Sequence, residues 1–186
     1  MATGTHSYLE DGRNKTIKIF INGSIYLRED AKISVFDSGF LLGDGVWEGI
    51  RLLNGKLVFI EQHIDRLFFG AKSLDIDIGY SPDELKDLIF KTLTVNNMHN
   101  DVHIRLIVTR GLKKTPYQHP NANFNGSTVV IIPEYKKANK EVNKNGIKLV
   151  TVSVKRGTKD TQDPRLNTLS KLNCIFACIE ADKLGG

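Results

Sequence analysis

From Lys15 to Ile21 polar and apolar residues alternate, which puts Ile17, Ile19 and Ile21 on one face of a predicted strand. Asn22-Gly23 follows, the dipeptide that a tight hairpin turn selects, and Ser24 to Leu27 returns as a second strand. Val46 to Leu53 reads as a further strand, and Asn54-Gly55 turns it into Lys56 to Ile60. Glu61 to Leu74 then changes period. Ile64, Leu67, Phe68, Ala71 and Leu74 recur at helical spacing and make one apolar face. A second helix opens at Ser81, an N-cap residue with Pro82 in the first helical position and Glu84 to complete a capping box. Leu85, Leu88, Ile89 and Leu93 form its buried stripe. Val102 to Thr109 and Ser127 to Ile132 are β-rich runs, with Pro133 closing the second. Arg110 to Gly126 between them, rich in Gly, Pro, Asn and Lys, reads as a long functional loop. Beyond it, Ile147 to Val154 alternates as a strand, and Thr168 to Lys183 reads as a helix lined by Leu169, Leu172, Phe176 and Ile179.

This pattern predicts an α+β chain in two parts. Residues 1–134 form an N-terminal small α/β domain, 135–146 a linker, and 147–186 the start of a second domain. One strand and one helix cannot close a core by themselves. The second domain is therefore expected to be only begun, and the sequence to be a piece of a longer chain.

Composition narrows the class. Of 186 residues, 40% are apolar and 25% charged, the balance of a soluble globular protein. No apolar run approaches the roughly 18 residues that a membrane span needs. The opening MATGTHSYLEDGRNK lacks the apolar core of a secretory signal, so a cytoplasmic location is expected. The formal charge is +5, with Lys136, Lys137, Lys140, Lys144 and Lys148 in or beside the linker. No aromatic residues interleave with these lysines, which argues for a solvated linker and against nucleic acid as a partner. Cys174 and Cys178 are the only two cysteines. A zinc site needs more ligands than these, so no metal is expected, and they read as small buried apolar residues in a reducing compartment.

The chemistry concentrates between Phe36 and Leu67. Gly43-Asp44-Gly45-Val46-Trp47-Glu48-Gly49-Ile50-Arg51, followed by Asn54-Gly55 and by His63-Ile64-Asp65-Arg66-Leu67, resembles the class IV aminotransferases. These are the fold-type-IV pyridoxal-phosphate enzymes: branched-chain aminotransferase, D-amino-acid aminotransferase and aminodeoxychorismate lyase. The resemblance runs from about Ile17 to the end of the chain, and it is the joint pattern that is specific. It implies the two-domain fold-type-IV architecture, pyridoxal 5′-phosphate as cofactor, an amino acid and a 2-oxo acid as substrates, and a homodimer. In that family the arginine of HxxRL holds the cofactor phosphate, which assigns Arg66 to cofactor binding. The residue type suits the task, because a planar guanidinium binds phosphate bidentately. Its alternative is a surface pair with a nearby acid such as Asp65. His63, on nearly the same helix face, reads as a packing or hydrogen-bonding residue at the helix–sheet interface. Asp44 and Glu48 read as turn and strand-support residues. For substrate binding the resemblance offers Arg105, at the branched-chain enzymes' substrate-side position, or Arg110, at the D-amino-acid enzymes' carboxylate-binding position. An odd spacing points the two to opposite faces of a strand. His119 lies in the same loop. Phe40 stands where the family often has a tyrosine beside the substrate, and the loss of the hydroxyl favours an apolar side chain there. A branched-chain donor with 2-oxoglutarate as acceptor comes first, a D-amino acid second, the lyase chemistry third.

The match breaks at the lysine. The family's catalytic lysine holds the cofactor as a Schiff base and then moves the substrate proton. Counted back from Glu180-Ala181, with Leu169, Leu172 and Ala177 in register, its position falls on Asn167. Lys171 lies one helical turn on, about 5–6 Å along an axis. Two readings stand. Either Lys171 is the catalytic residue after a local shift in register, with Asn167 left as the N-cap of the last helix, or the chain is a non-catalytic binding or regulatory paralogue.

Overall fold

The computed structural model describes residues 10–137 and 140–185. It divides into two compact units, one made of Asp11–Lys136 with Leu166–Ser170, the other of Glu10 and the described residues within 137–165 and 171–185.

The first unit is an antiparallel sheet with helices on one face, which agrees with the α+β expectation. Strands β1 (Lys18–Ile21) and β2 (Ser24–Leu27) form the first hairpin. A one-turn helix α1 (Ser38–Leu42) leads into β3 (Gly45–Leu53) and the short β4 (Lys56–Leu57). Then come helices α2 (Ile60–Ser73) and α3 (Pro82–Val95) and strands β5 (Val102–Thr109) and β6 (Thr128–Tyr135). The sheet is six-stranded, in the order β2-β1-β6-β5-β3-β4. Both Asn-Gly turns carry left-handed backbone, with φ of 45° and 90° at Asn22-Gly23 and 49° and 74° at Asn54-Gly55. Those values are what joins twisted strands by two residues.

Helix α3 starts as its sequence predicts, with Ser81 and Glu84 each bonded to the other's backbone. Its Leu85, Ile89 and Leu93 meet Ile64, Leu67 and Ala71 of α2 over Phe20, Ile50, Ile104, Leu106 and Ile131 of the sheet. Each fully buried aliphatic or aromatic side chain here contributes about 1.5–3 kcal/mol. Ile19, Ile21 and Val130 form a smaller cluster with Ile107 and Ile132. Ile17, expected beside Ile19 and Ile21, instead joins the main core from a position just before β1.

Two strand ends differ from the sequence reading. The strand after Asn54-Gly55 stops at Leu57, because Phe59 takes a left-handed φ of 52° and starts α2 at once. Strand β6 runs through Pro133 to Tyr135. Odd-numbered residues of β6 face β1, but that ladder ends at Ile131, so the missing amide of Pro133 breaks no β1 bond. Asn14 takes over at Tyr135, with its Nδ2 donating to the carbonyl at 3.0 Å and its Oδ1 accepting from the amide at 2.8 Å.

The second unit holds α4 (Lys140–Asn145), α5 (Lys159–Gln162) and α6 (Leu172–Lys183). The linker thus contains a short helix, and Ala138, Asn139 and the opening residues 1–9 lie outside the described residues. The strand expected over Ile147 to Val154 does not form. The segment has no ladder among the described residues, and Ser153 turns its amide and hydroxyl onto the Glu180 carboxylate, both at 2.9 Å. Helix α6 starts at Leu172 rather than Thr168, because Thr168 bridges to Val46 instead. It has no buried residue, so Cys174 and Cys178 are exposed free thiols, not the buried pair expected.

Asn14→Ala removes the side chain that pairs both the amide and the carbonyl of Tyr135. It should lower stability by about 1–3 kcal/mol, the cost of leaving buried backbone groups unpaired, read as a shift in the urea midpoint at unchanged slope.

Candidate active site

Strand β3 sends Val46, Glu48, Ile50 and Leu52 toward the helices and leaves Trp47, Gly49 and Arg51 on the other face. Glu48 has no exposed surface. A carboxylate in a core is tolerable only when it is paired and hydrogen-bonded. Helix α2 supplies what it needs. Arg66 donates from Nε to Oε1 and from Nη2 to Oε2, both at 2.6 Å, and His63 Nδ1 lies 2.7 Å from Oε2. The carboxylate is acceptor-only, so His63 carries its proton on Nδ1 in this bond. Gly70, one turn beyond Arg66, lets α2 lie this close. A Cβ there would sit 3.1 Å from Val46 Cγ1.

Arg66 is half-exposed although its partner is buried. The edge of its fork carrying Nε faces Glu48, and its remaining donors have no protein partner among the described residues. Its hydrogen bond to Glu48 raises the guanidinium pKa above its ordinary value. The acid that pairs with Arg66 is thus Glu48 and not Asp65. The pairing leaves an outward-facing edge of three N–H groups of the kind that binds phosphate.

On the opposite face of the sheet is a cavity of about 300 Å³ with Arg28, His103, Arg105, Glu134 and Lys136 around a floor of isoleucines. The Arg105 guanidinium lies 4.2 Å over the Trp47 ring, an arrangement that fixes the plane of the cation. Glu134 stands 3.7 Å from Arg28 and offsets part of the charge. His103 is pushed down to about 4, first by burial and then by Arg51, Lys136 and Arg105. It is a neutral imidazole near pH 7.

Arg110 has other surroundings. It holds both Asp44 oxygens, at 2.7 and 3.1 Å, and donates to the carbonyls of Leu74 and Asp75 at 2.7 and 2.8 Å. Four of these contacts on one guanidinium make it a clamp between the Gly-Asp-Gly turn and the end of α2. Phe40, on α1, is 71% exposed. His119 accepts from the Asn121 amide within its own loop. That loop is organised by Lys113, which the sequence reading passed over. Lys113 is 2% exposed and donates to Asn123 Oδ1 at 2.9 Å.

Asn167 is an edge residue of the sheet. Its carbonyl accepts from the Trp47 amide at 3.0 Å and its Nδ2 donates to the Trp47 carbonyl at 2.6 Å. The Leu169 amide continues the pairing to Gly45 at 2.9 Å. Asn167 is therefore not an N-cap. Lys171 takes that position on α6, without a side-chain cap bond. Among the described residues no His, Cys, Asp and Glu group is arranged to hold a metal, and no helix is long and apolar enough to cross a membrane.

Comparison with known proteins places the chain in one class. The family model for amino-transferase class IV matches residues 45–186. A putative branched-chain-amino-acid aminotransferase of Methanocaldococcus jannaschii is 40% identical over 169 residues, which is 91% of this chain and 57% of that protein. A D-alanine aminotransferase of Listeria monocytogenes is 41% identical over 103 residues, 55% of this chain and 35% of that protein. Among solved structures, a branched-chain amino acid aminotransferase of Escherichia coli superposes with a TM-score of 0.84 at 25% identity, covering 92% of this chain and 58% of that one. The chain belongs to the class IV aminotransferase family, and it spans little more than half the length of these relatives at most.

His103 gives the cavity a pH signature. Its folded value of about 4 lies below the ordinary 6.5. Between those limits the unfolded chain binds a proton that the folded protein does not, so stability rises with pH across that window. Urea titrations from pH 4 to 7 should show this slope in the parent protein and a flatter one in His103→Gln.

Proposed function

We propose that the protein is a pyridoxal-phosphate-dependent aminotransferase that takes a branched-chain amino acid as donor and 2-oxoglutarate as acceptor, working as a cytoplasmic homodimer. The observation that carries this reading is Arg66, a half-exposed guanidinium whose inner edge is anchored on buried Glu48 and whose outer edge is open to an anion. Residues 1–134 are then the small domain and 147–186 the beginning of the cofactor domain.

The donor set fits the cofactor's phosphate and does not fit its usual covalent anchor at Asn167. When bound, the pyridine ring draws electrons from the substrate carbon. Arg66 binds the phosphate. Lys171 supplies the amine that Asn167 lacks. Arg105, stacked on Trp47 on the sheet face opposite Glu48, receives a substrate carboxylate in the cationic cavity across the homodimer interface, while Arg110 is already committed to Asp44. Phe40 offers an apolar wall for the substrate side chain. The Listeria relative keeps a D-amino-acid donor as the alternative. Asn167, turned onto the β3 backbone, favours a second reading as a non-catalytic binding or regulatory paralogue.

Borohydride treatment of the full-length protein with pyridoxal 5′-phosphate, followed by peptide mass spectrometry, decides between these. The enzyme reading expects a pyridoxyl group on Lys171 that disappears in Lys171→Ala. A folded protein that is never labelled supports the second reading. Arg105→Ala should lower kcat/KM for 2-oxoglutarate about 10- to 100-fold, the scale of a lost charged hydrogen-bond pair. Arg110→Ala should lower stability first.

A further inference from the structure

We infer that Glu48 is a positioning residue for phosphate binding: it orients Arg66 so that one edge of the guanidinium faces the ligand, and His63 helps hold Glu48 in place. This rests on the reading of Arg66 as the phosphate ligand and goes beyond it, because Glu48 itself touches no ligand.

A guanidinium at the end of a flexible side chain samples many rotamers, and ordering it on binding costs affinity. Here that ordering is done in advance. The Nε edge is fixed by two hydrogen bonds of 2.6 Å to a carboxylate that has no exposed surface and cannot itself move toward solvent. His63 donates to Oε2 at 2.7 Å, so that oxygen is held by two groups of one helix. The geometry also solves a charge problem. A carboxylate beside a phosphate site repels the ligand, but Glu48 lies behind Arg66, on the side of the guanidinium away from the open edge. Lysine in place of Arg66 keeps the charge but cannot fork onto both oxygens.

The test is calorimetric titration of the full-length protein with pyridoxine 5′-phosphate, which has the phosphate and no aldehyde, and with pyridoxine as the phosphate-free control. Glu48→Gln and Arg66→Lys should each weaken pyridoxine 5′-phosphate about tenfold or more, the scale of a lost charge-assisted hydrogen bond, and leave pyridoxine unchanged. In an Arg66→Ala background, adding Glu48→Gln should change nothing further. If Arg66→Ala weakens the phosphate ligand while folded Glu48→Gln binds as the parent does, or if Glu48→Gln weakens it equally in both backgrounds, the inference is wrong and the phosphate reading stands. If Arg66→Ala binds as the parent does, the phosphate reading fails and takes the inference with it. Should Glu48→Gln not fold, Glu48→Asp, which keeps the charge and draws the carboxylate back from Arg66, replaces it in both backgrounds. Parent-like binding by folded Glu48→Asp overturns the inference.

Discussion

A carboxylate on the inner face of a strand is the constraint around which this unit is organised. Glu48 would be costly where it sits if it were alone. It is tolerated because α2 brings both a guanidinium and an imidazole to it. That requirement fixes how far along β3 the helix lies and which of its faces is inward. Ile64 and Leu67 reach the core on the same terms. Gly70 is part of the arrangement, since a side chain there would push the helix off Val46. The far end of α2 is held by the same segment of sequence. Asp44 orients Arg110, and Arg110 bonds the carbonyls of Leu74 and Asp75. A cation at the C-terminal end of a helix also suits its dipole. Two acids of one short motif therefore secure one helix, Glu48 in its first half and Asp44, through Arg110, at its C-terminal end.

Much of this was legible in the sequence, and the division follows the range of the interactions. The Asn-Gly hairpins, the capping box at Ser81 and the apolar stripes of α2 and α3 are encoded within a few residues, and they appear where the pattern puts them. The partner of Arg66 was not legible. Its neighbour Asp65 is closer in sequence, while Glu48 becomes its partner only when α2 folds back over β3. Asp44 and Arg110 meet across a still longer stretch. The same limit explains Ile147 to Val154, where alternation alone suggested a strand. Alternation states which side chains share a face, but a strand exists only with a ladder, and a ladder is never local. Lys113 was missed because a lysine in a polar loop carries no sign that the loop will close over it.

Asn167 and Lys171 show how a local rule can assign the right residue types to the wrong tasks. Asn before a helical pattern is a good N-cap, yet Asn167 uses its amide on the Trp47 carbonyl and its own carbonyl on the Trp47 amide. A longer side chain at that position could not make the first bond in the same way, so asparagine here serves the edge of the sheet. Pairing of 167–169 with β3 delays the start of α6, and the delay moves Lys171 to its N-cap. Lysine is a poor choice for that position. It accepts no hydrogen bond from the free amides, and its charge opposes the positive end of the helix dipole. Helix chemistry therefore does not account for Lys171, whereas sheet pairing does account for Asn167.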